Sequence, residues 1–581
     1  MDRDTYMKET EQALLDQVDT ERLMDYTKNI SQWVRISSLP AELESLSYVS
    51  DTLKGFGYEV KLLSYDGFIS YPVKAEVQVL GESPETLRSL GHCFSDSTPE
   101  EGITAPVSFD LAECCGKILL LDGLPNYNKV MDAKSKGAKA VLFVQDDYLH
   151  NMPVNPIWGS PTRETEHFLP RIPVASITRP DGRRLRERWE REQVVINLRS
   201  QVEMGWKKGL PILVADLPSE KSDKFVLLSC HIDSWDYGAM DNGTANATAI
   251  ECARLLAMKR EELYRGLRVC FWSGHSQGKF CGSSWYADHH YEELERRCVS
   301  HVNIDSTGGK GAVVVEEAPV MPHTRQLAAE VIKEQTGVDF IGKRIGHFAD
   351  QSFFGVGLSS LFGTFSEQSR ETAGDSLSFQ HGTTVRASGL GWWWHTEYDT
   401  IDKIDPEFLQ RDTKIYLSVL WRLMTRPVLP FDFQDAAEDM ASETKHLQDL
   451  LGNRFDLGPL AERICQVRAA AARFESSLAN LHTPEQPEAV RANESIQRIA
   501  QCFVRAQFTG GNVYSYDLGT PMKHIPALAD GYQLAQAEAD SDDYYMLQLS
   551  LQRGMNRVMH DLAEIMEIIG RYFSGGGHSP A

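Results

Sequence analysis

Three largely apolar runs, each ending at a residue able to do chemistry, constrain this chain most. Phe225-Val-Leu-Leu-Ser-Cys230 stops at His231, Leu267-Arg-Val-Cys-Phe-Trp272 runs into Ser273-Gly-His275, and Val302-Asn-Ile304 stops at Asp305. Short apolar runs of this kind are what strands buried on both faces require. Between the first two lies Thr244 to Met258, where Ala245, Ala249, Cys252 and Leu256 share one helical face. Between the second and third, Ser284 to Arg297 also reads as helix. Strands alternating with helices predict an α/β fold with a mainly parallel central sheet flanked by helices. The chemistry of such a sheet gathers at the carboxyl ends of its strands. His231, His275 and Asp305 all lie just past such ends.

At 581 residues the chain is too long for a single core. Near the N-terminus, Leu43, Leu46, Val49 and Leu53 follow helical spacing, Gly55-Phe-Gly57 breaks the helix, and Tyr58 to Leu63 alternates like a strand. Residues 70–204 change character. Short β-rich runs (Ala75 to Leu80, Lys117 to Leu121, Ala140 to Val144, Ile172 to Ile177) surround one helix, Tyr127 to Lys136, stopped by Gly137. Beyond Pro427-Val-Leu-Pro430, Leu460, Ile464, Val467, Ala471 and Phe474 step by four and three, as do Leu551, Met555, Val558, Leu562 and Ile565. The expected division is 1–69 and 205–430 for the α/β domain, 70–204 for a β-rich insert, and 431–581 for an antiparallel bundle of three or four helices.

The formal charge of −23, from 59 basic and 82 acidic residues, argues against nucleic acid and anionic membrane as partners. No run of eighteen apolar residues occurs, and Met1 to Thr10 has no apolar leader segment, so a cytoplasmic location is expected. Ten cysteines without framework spacing read as buried free thiols in a reducing compartment. Cys114-Cys115 lacks the C-x-x-C of a zinc ribbon.

A hydrolytic site with paired divalent ions needs one carboxylate bridging them, with nitrogen and oxygen ligands on either side and room for water. His231 offers an imidazole at a strand end. Asp233, two residues on, points the same way and is expected to accept the other imidazole N–H, fixing the tautomer. Asp241 opens the next helix in a Met-Asp-Asn-Gly turn, Asp305 supplies a second carboxylate, and His395 comes from a loop before a helix.

At these residues the chain resembles the co-catalytic zinc exopeptidases, the family that includes bacterial leucine aminopeptidases, glutamate carboxypeptidase and transferrin-receptor-like proteins. Its H-x-D matches His231-Ile-Asp233, its D-[DN]-G matches Asp241-Asn-Gly243, its later metal aspartate matches Asp305, and its H-T-x-x-D-T-x-D-K-I matches His395 to Ile404. Between about 110 and 180 the order GKILLLDG, VMDAKSKGAKAVLFV, IPVASI resembles a protease-associated domain. The resemblance implies one zinc ion held by His231, Asp241 and Asp305, and a second by His395 and Asp241. It also implies a cis Asp241–Asn242 peptide, a peptide or small-amide substrate, and a homodimer through the C-terminal helical domain.

One segment departs from the family. Where the family has consecutive glutamates in W-x-A-E-E-x-G-x-x-G-S, this chain has Trp272-Ser-Gly-His-Ser-Gln-Gly-Lys-Phe-Cys-Gly-Ser283, one residue longer. Counting from Trp272 sets His275 and Ser276 in the glutamate places; counting back from Gly282-Ser283 sets Ser276 and Gln277 there. Three outcomes stay open. His275 ligates the second ion or acts as general base; or a single ion activates water; or hydrolysis is lost and the fold retained, as in the transferrin-receptor-like members. The expected activity is metal-dependent hydrolysis of amide or peptide bonds, aminopeptidase-like, with His275 and Asp233 assisting and one or two zinc ions. Its competitor is an inactive scaffold used for binding or assembly.

Other residues carry weaker signals. Asp350, in Phe348-Ala-Asp-Gln-Ser-Phe353, resembles a pocket-shaping segment of the family or is a helix N-cap. Trp392 to Trp394 cannot all face one core, so at least one is expected near the site. His347 and His381 read as surface or core loop residues, His289-His290 as solvated, and Glu316-Glu317 as a strand end. Arg344 and Arg370 do not form the arginine cluster that glutamate carboxypeptidase-like recognition needs, which favours the aminopeptidase reading.

Overall fold

The computed structural model describes residues 3–373 and 386–575, so His381 lies outside the described residues. Two long antiparallel strands organise the molecule: β1 (Glu59–Val79) pairs along most of its length with β2 (Val195–Leu217). Three strands form the buried parallel part of the sheet: β3 (Phe225–His231), β4 (Gly266–Trp272) and β5 (Cys298–Asn303). They run in parallel in the order β5-β3-β4, and every residue in them is buried. β2 closes this group antiparallel to β4, with Leu267 opposite Leu217 and Trp272 opposite Ile212. The opposite half of β2 pairs with Ile103–Ser108, which leads into the parallel insert strands Ile118–Asp122, Ala140–Val144 and Val174–Ile177. The insert and the α/β part therefore share one continuous sheet. The boundaries expected at 69/70 and 204/205 fall inside β1 and β2. The sequence hid β1 because Tyr65-Asp-Gly67 and Pro72 interrupt its alternation; shifts of register at Tyr65/Gly67 and Pro72/Lys74 absorb them as bulges.

The insert keeps hydrophobic cores of its own, built around Ile118, Leu142 and Ile196 and around Leu119, Val141 and Phe143. The largest core is continuous from the parallel sheet through the N-terminal helices to the C-terminal bundle. Helix α1 (Ala245–Ala257) connects β3 to β4. The helix expected over Ser284 to Arg297 is two, Cys281–His289 and Tyr291–Arg297, because His290 leaves the helical region at φ −121°. Four long helices, α2 (Phe433–Leu451), α3 (Gly458–Leu478), α4 (Pro487–Phe508) and α5 (Asp542–Phe573), make the bundle, with Leu460, Ile464, Val467, Leu551, Val558 and Leu562 inside it. Among the described residues no helix is long and apolar enough to cross a membrane. All ten cysteines are free, and Cys115 and Cys465 alone among them are exposed.

Candidate metal centre

His231 is the last residue of β3, and its ring is fixed from one side. Nδ1 donates to the carbonyl oxygen of Asp233 at 2.8 Å. Nε2 faces Asp241 Oδ1 at 3.1 Å and Asp305 Oδ1 at 3.7 Å, yet it is buried without a hydrogen-bond partner. The second oxygen of Asp241 lies 3.1 Å from His395 Nε2, and His395 Nδ1 donates to the carbonyl of Asn151 at 2.7 Å. Asp241 thus turns one carboxylate oxygen to each of two imidazoles whose other nitrogens are already engaged. An orphaned imidazole nitrogen facing two carboxylate oxygens is a donor set that fits a divalent cation. Burial opposes a proton on His231, but Asp241 and Asp305 outweigh it and lift its pKa well above the usual imidazole value. Burial alone would raise Asp241; His231 and His395 instead hold it well below the usual carboxylate range.

The turn carrying Asp241 is fixed through its backbone. The Asp241–Asn242 peptide is cis, as the family resemblance implies. Asp399 accepts from the amides of Met240 and Asp241, both at 2.9 Å; burial, first among its influences, raises its pKa to about 7. Asn242 Oδ1 accepts from the Ser306 amide at 3.0 Å, tying the turn to the segment after β5. Asn246, in the first turn of α1, donates to the carbonyls of His231 (2.8 Å) and Asn242 (2.6 Å). Gly238 has φ 51°, and a Cβ there would sit 2.2 Å from the Asp241 carbonyl, so glycine is required. Arg35, fully buried, donates to the carbonyls of Ile232 (2.8 Å), Tyr237 (2.8 Å) and Gly238 (3.0 Å). Neither Arg35 nor Asp399 stood out in the sequence as a positioning residue. Asp399 sat inside the matched His395 motif, where its spacing says nothing of its target; Arg35 reaches the site from 199 residues away.

The loop after β4 completes the site differently. Asp233 accepts from the amides of His275 (3.2 Å) and Ser276 (2.7 Å), while its Oδ1 stays 3.8 Å from His231 Nδ1. The tautomer-fixing role expected of its carboxylate passes to its own backbone carbonyl, because the side chain is taken up in holding the loop. Gln277 is buried with its amide committed to Ser37 and Ser234, away from the cavity. Of the three candidates for the missing glutamates, His275 and Ser276 line the cavity. The His275 ring stacks on His231, with centroids 3.7 Å apart and planes at 10°. Its Nδ1 pairs with Asp350 Oδ2 at 2.8 Å, and Asp350 Oδ1 accepts from Ser283 at 2.6 Å. Burial opposes ionisation of Asp350, but His275 more than offsets it and holds its pKa below the ordinary value. Asp350 is therefore the orienting partner of His275; no helix begins there for it to cap. One ligating atom each from His231, His275 and Asp305 lie within 4.8 Å of one another.

These groups open into a cavity of about 720 Å³ walled by Trp235, Trp394, Phe280, Phe348 and Leu390. Of the three adjacent tryptophans, Trp394 lines the cavity and stacks on His395 (3.5 Å); Trp393 is buried against Met240, and Trp392 stacks on Tyr148. His347, expected as a surface or core residue, lines the cavity, half-buried with Nδ1 against the Thr520 carbonyl. Arg344 also lines it, but its guanidinium is engaged by Asp439 and two carbonyls. Arg370 is not among the lining residues, and neither are Glu316 and Glu317, whose carboxylates accept from the amides of Val315, Arg386 and Ala387. His289 stacks on Trp285 and is exposed, while His290 stacks on Tyr286 and is half-buried.

Residues 213–420, spanning this centre, match the profile of Peptidase family M28. The chain is 22% identical to probable glutamate carboxypeptidase AMP1 of Arabidopsis thaliana, over 76% of this chain and 73% of that one. It is 24% identical to aminopeptidase NAALADL1 of Rattus norvegicus over 54% of this chain, spanning under half (46%) of that relative's length. Among solved structures, the zinc aminopeptidase BSAP of Bacillus subtilis superposes with a TM-score of 0.51 at 21% identity, covering 70% of this chain and 95% of its own. That likeness is one of fold.

Proposed function

We propose that this chain, whose residues 213–420 match Peptidase family M28, is a metal-dependent hydrolase of amide or peptide bonds. The proposed direction is aminopeptidase-like, and the proposed ion is zinc. One observation carries the reading: the Asp241 carboxylate stands between two imidazole Nε2 atoms, 3.1 Å from each. His231, Asp241 and Asp305 would hold one ion, and His395 with Asp241 would hold a second more weakly. A bound ion polarises the scissile carbonyl and makes water a better nucleophile. His275, turned by Asp350 so that Nε2 is its available nitrogen, takes the proton from the attacking water and passes it to the leaving amine. Trp394 and Phe280 shelter the reacting bond from bulk water. Asp233 contributes by holding the His275 backbone in place.

The test is hydrolysis of aminoacyl p-nitroanilides by the zinc-loaded chain beside His275→Ala. The reading expects turnover that falls at least about a hundredfold in the variant, the usual scale for general acid–base assistance; equal turnover removes His275 from the reaction. The competing reading, an inactive scaffold, is favoured by Ser276, a hydroxyl where a carboxylate would serve the second ion. It expects no turnover of any peptide by either protein. The same proposal places the chain in a reducing cytoplasm, in keeping with ten free cysteines. It reads residues 70–204 as a protease-associated domain. It also assigns homodimerisation to the C-terminal bundle, where Tyr545, Met546 and Leu549 are exposed on α5; sedimentation of the purified chain tests that point.

A further inference from the structure

The cavity that holds the metal centre has a second chemical character on its far wall. Four basic side chains line it: Lys279, Arg325, Lys343 and Arg344. Three are already neutralised, Arg325 by Asp435, Lys343 by Glu367 and Arg344 by Asp439. Lys279 is different. Among the described residues its ammonium has no hydrogen-bond or ion-pair partner; it rests over the Phe280 ring, 5.0 Å from the centroid. Its stem is enclosed, with Cε 3.3 Å from where a Cβ on Gly519 would stand, beside Trp158 and the Pro156 carbonyl. Burial is the one influence on its pKa, lowering it to about 8.

Lys279 is half-buried, and an ammonium on a cavity wall with no carboxylate beside it is a ready contact for an anionic ligand. The position is also tied to the reacting groups. Lys279 and His275 share one loop, folded back by hydrogen bonds from Phe280 N to the His275 carbonyl (3.2 Å) and from Cys281 N to the Gly274 carbonyl (3.0 Å). The Phe280 ring stands edge-on to His275 at 4.8 Å, so Phe280 spans the gap between imidazole and ammonium. Those spacings in series correspond to no more than about three extended residues, at about 3.5 Å each. A substrate whose scissile bond lies beside His275 brings a nearby carboxylate within reach of Lys279.

We propose that Lys279 is the specificity-determining residue of this cavity, anchoring a carboxylate of the substrate within three residues of the scissile bond. The substrates are then acidic peptides or carboxylate-bearing amides. This rests on the hydrolase reading for its kinetic arm but not for its binding arm. A charge-assisted hydrogen bond of this kind is worth about a factor of ten or more in binding.

Two measurements on the full chain test it. The first uses Ala-Glu-amide and Ala-Gln-amide, isosteric peptides differing in one negative charge. The native chain should prefer the glutamate peptide in kcat/KM, and Lys279→Met should lower that preference about tenfold, with the loss in KM; Lys279→Arg should retain it. A preference unchanged in Lys279→Met overturns the proposal, as does native preference for the glutamine peptide. The second is calorimetric titration with glutarate, which needs no turnover. Binding by the native chain and Lys279→Arg, lost in Lys279→Met, supports the anchor even if no peptide is cleaved. Equal glutarate binding by all three, or none by the native chain, overturns it.

Discussion

The two halves of the proposed metal centre are built on opposite principles. In the first, His231, Asp241 and Asp305 are metal-ligand residue types, each set at the end of a strand or the opening of a helix and tied down through backbone groups. In the second, His395 still faces the shared carboxylate, but the loop opposite brings an imidazole and a hydroxyl, His275 and Ser276. Asp233 joins the two: its carbonyl steadies His231, while its carboxylate holds the amides of His275 and Ser276. A rigid first half can keep its chemistry while its neighbour changes, because the coupling runs through a backbone-bound aspartate rather than through the altered side chains.

The contrast can be broken most severely at the residue both halves share. Asp241→Asn keeps the shape but removes the charge and turns one of the two acceptor oxygens into a donor NH2; hydrolysis should fall by a factor of about 10³ or more, with zinc lost from the purified protein by elemental analysis. Retained zinc in that variant would mean that the first half does not depend on its bridging residue. Next in size is Asp350→Asn, which touches the second half alone. Removing such an orienting partner typically costs about 10- to 100-fold, and it should appear in kcat at unchanged zinc content. Zinc lost along with activity would move His275 from the proton-transfer role to that of a ligand.

Acid probes the support of the first half. His301 on β5 bonds Ser229 on β3 through Nε2 at 2.8 Å, and burial lowers its pKa to about 3. An unfolded histidine titrates near 6.5. Between those values the unfolded chain binds a proton that the folded one refuses, so stability falls as pH drops through this window. At pH 5 the loss from this residue is about 2 kcal/mol. His301→Gln should therefore show a smaller drop in urea midpoint between pH 7 and pH 5 than the native chain; an equal drop would remove His301 from the account. The mildest change is a gain. Ser276→Glu restores a carboxylate to the second half and should tighten the second zinc equivalent about tenfold, read by zinc titration. No tightening would mean that Ser276 does not face the second ion.

Much of this was legible in the sequence because buried parallel strands write themselves as apolar runs, and the residue after each run must emerge at the same sheet edge. His231 and Asp305 belong to that class of signal, whereas Asp241 and His395 were legible only through the D-[DN]-G and H-T-x-x-D motifs. The continuity of β1 was not legible: Tyr58–Leu63 and Ala75–Leu80 read as separate strands, because bulges at Asp66 and Val73 break the alternation between them. The ambiguity of the His275 segment could not be settled by counting from either end, since the extra residue sits in a turn where Lys279 and Phe280 adopt positive φ. Arg35 and Lys279 left no trace either. A buried arginine serving carbonyls and an ammonium without a partner are facts of three-dimensional neighbourhood, not of spacing.

The first half is proposed to be a working metal site and the second a weakened one. Calorimetric zinc titration of the metal-stripped native chain tests it most directly. The native chain should bind one tight equivalent that disappears in Asp241→Asn, followed by a second, weaker one that Ser276→Glu strengthens. A native chain that binds no zinc, or two equivalents of equal affinity, would contradict it.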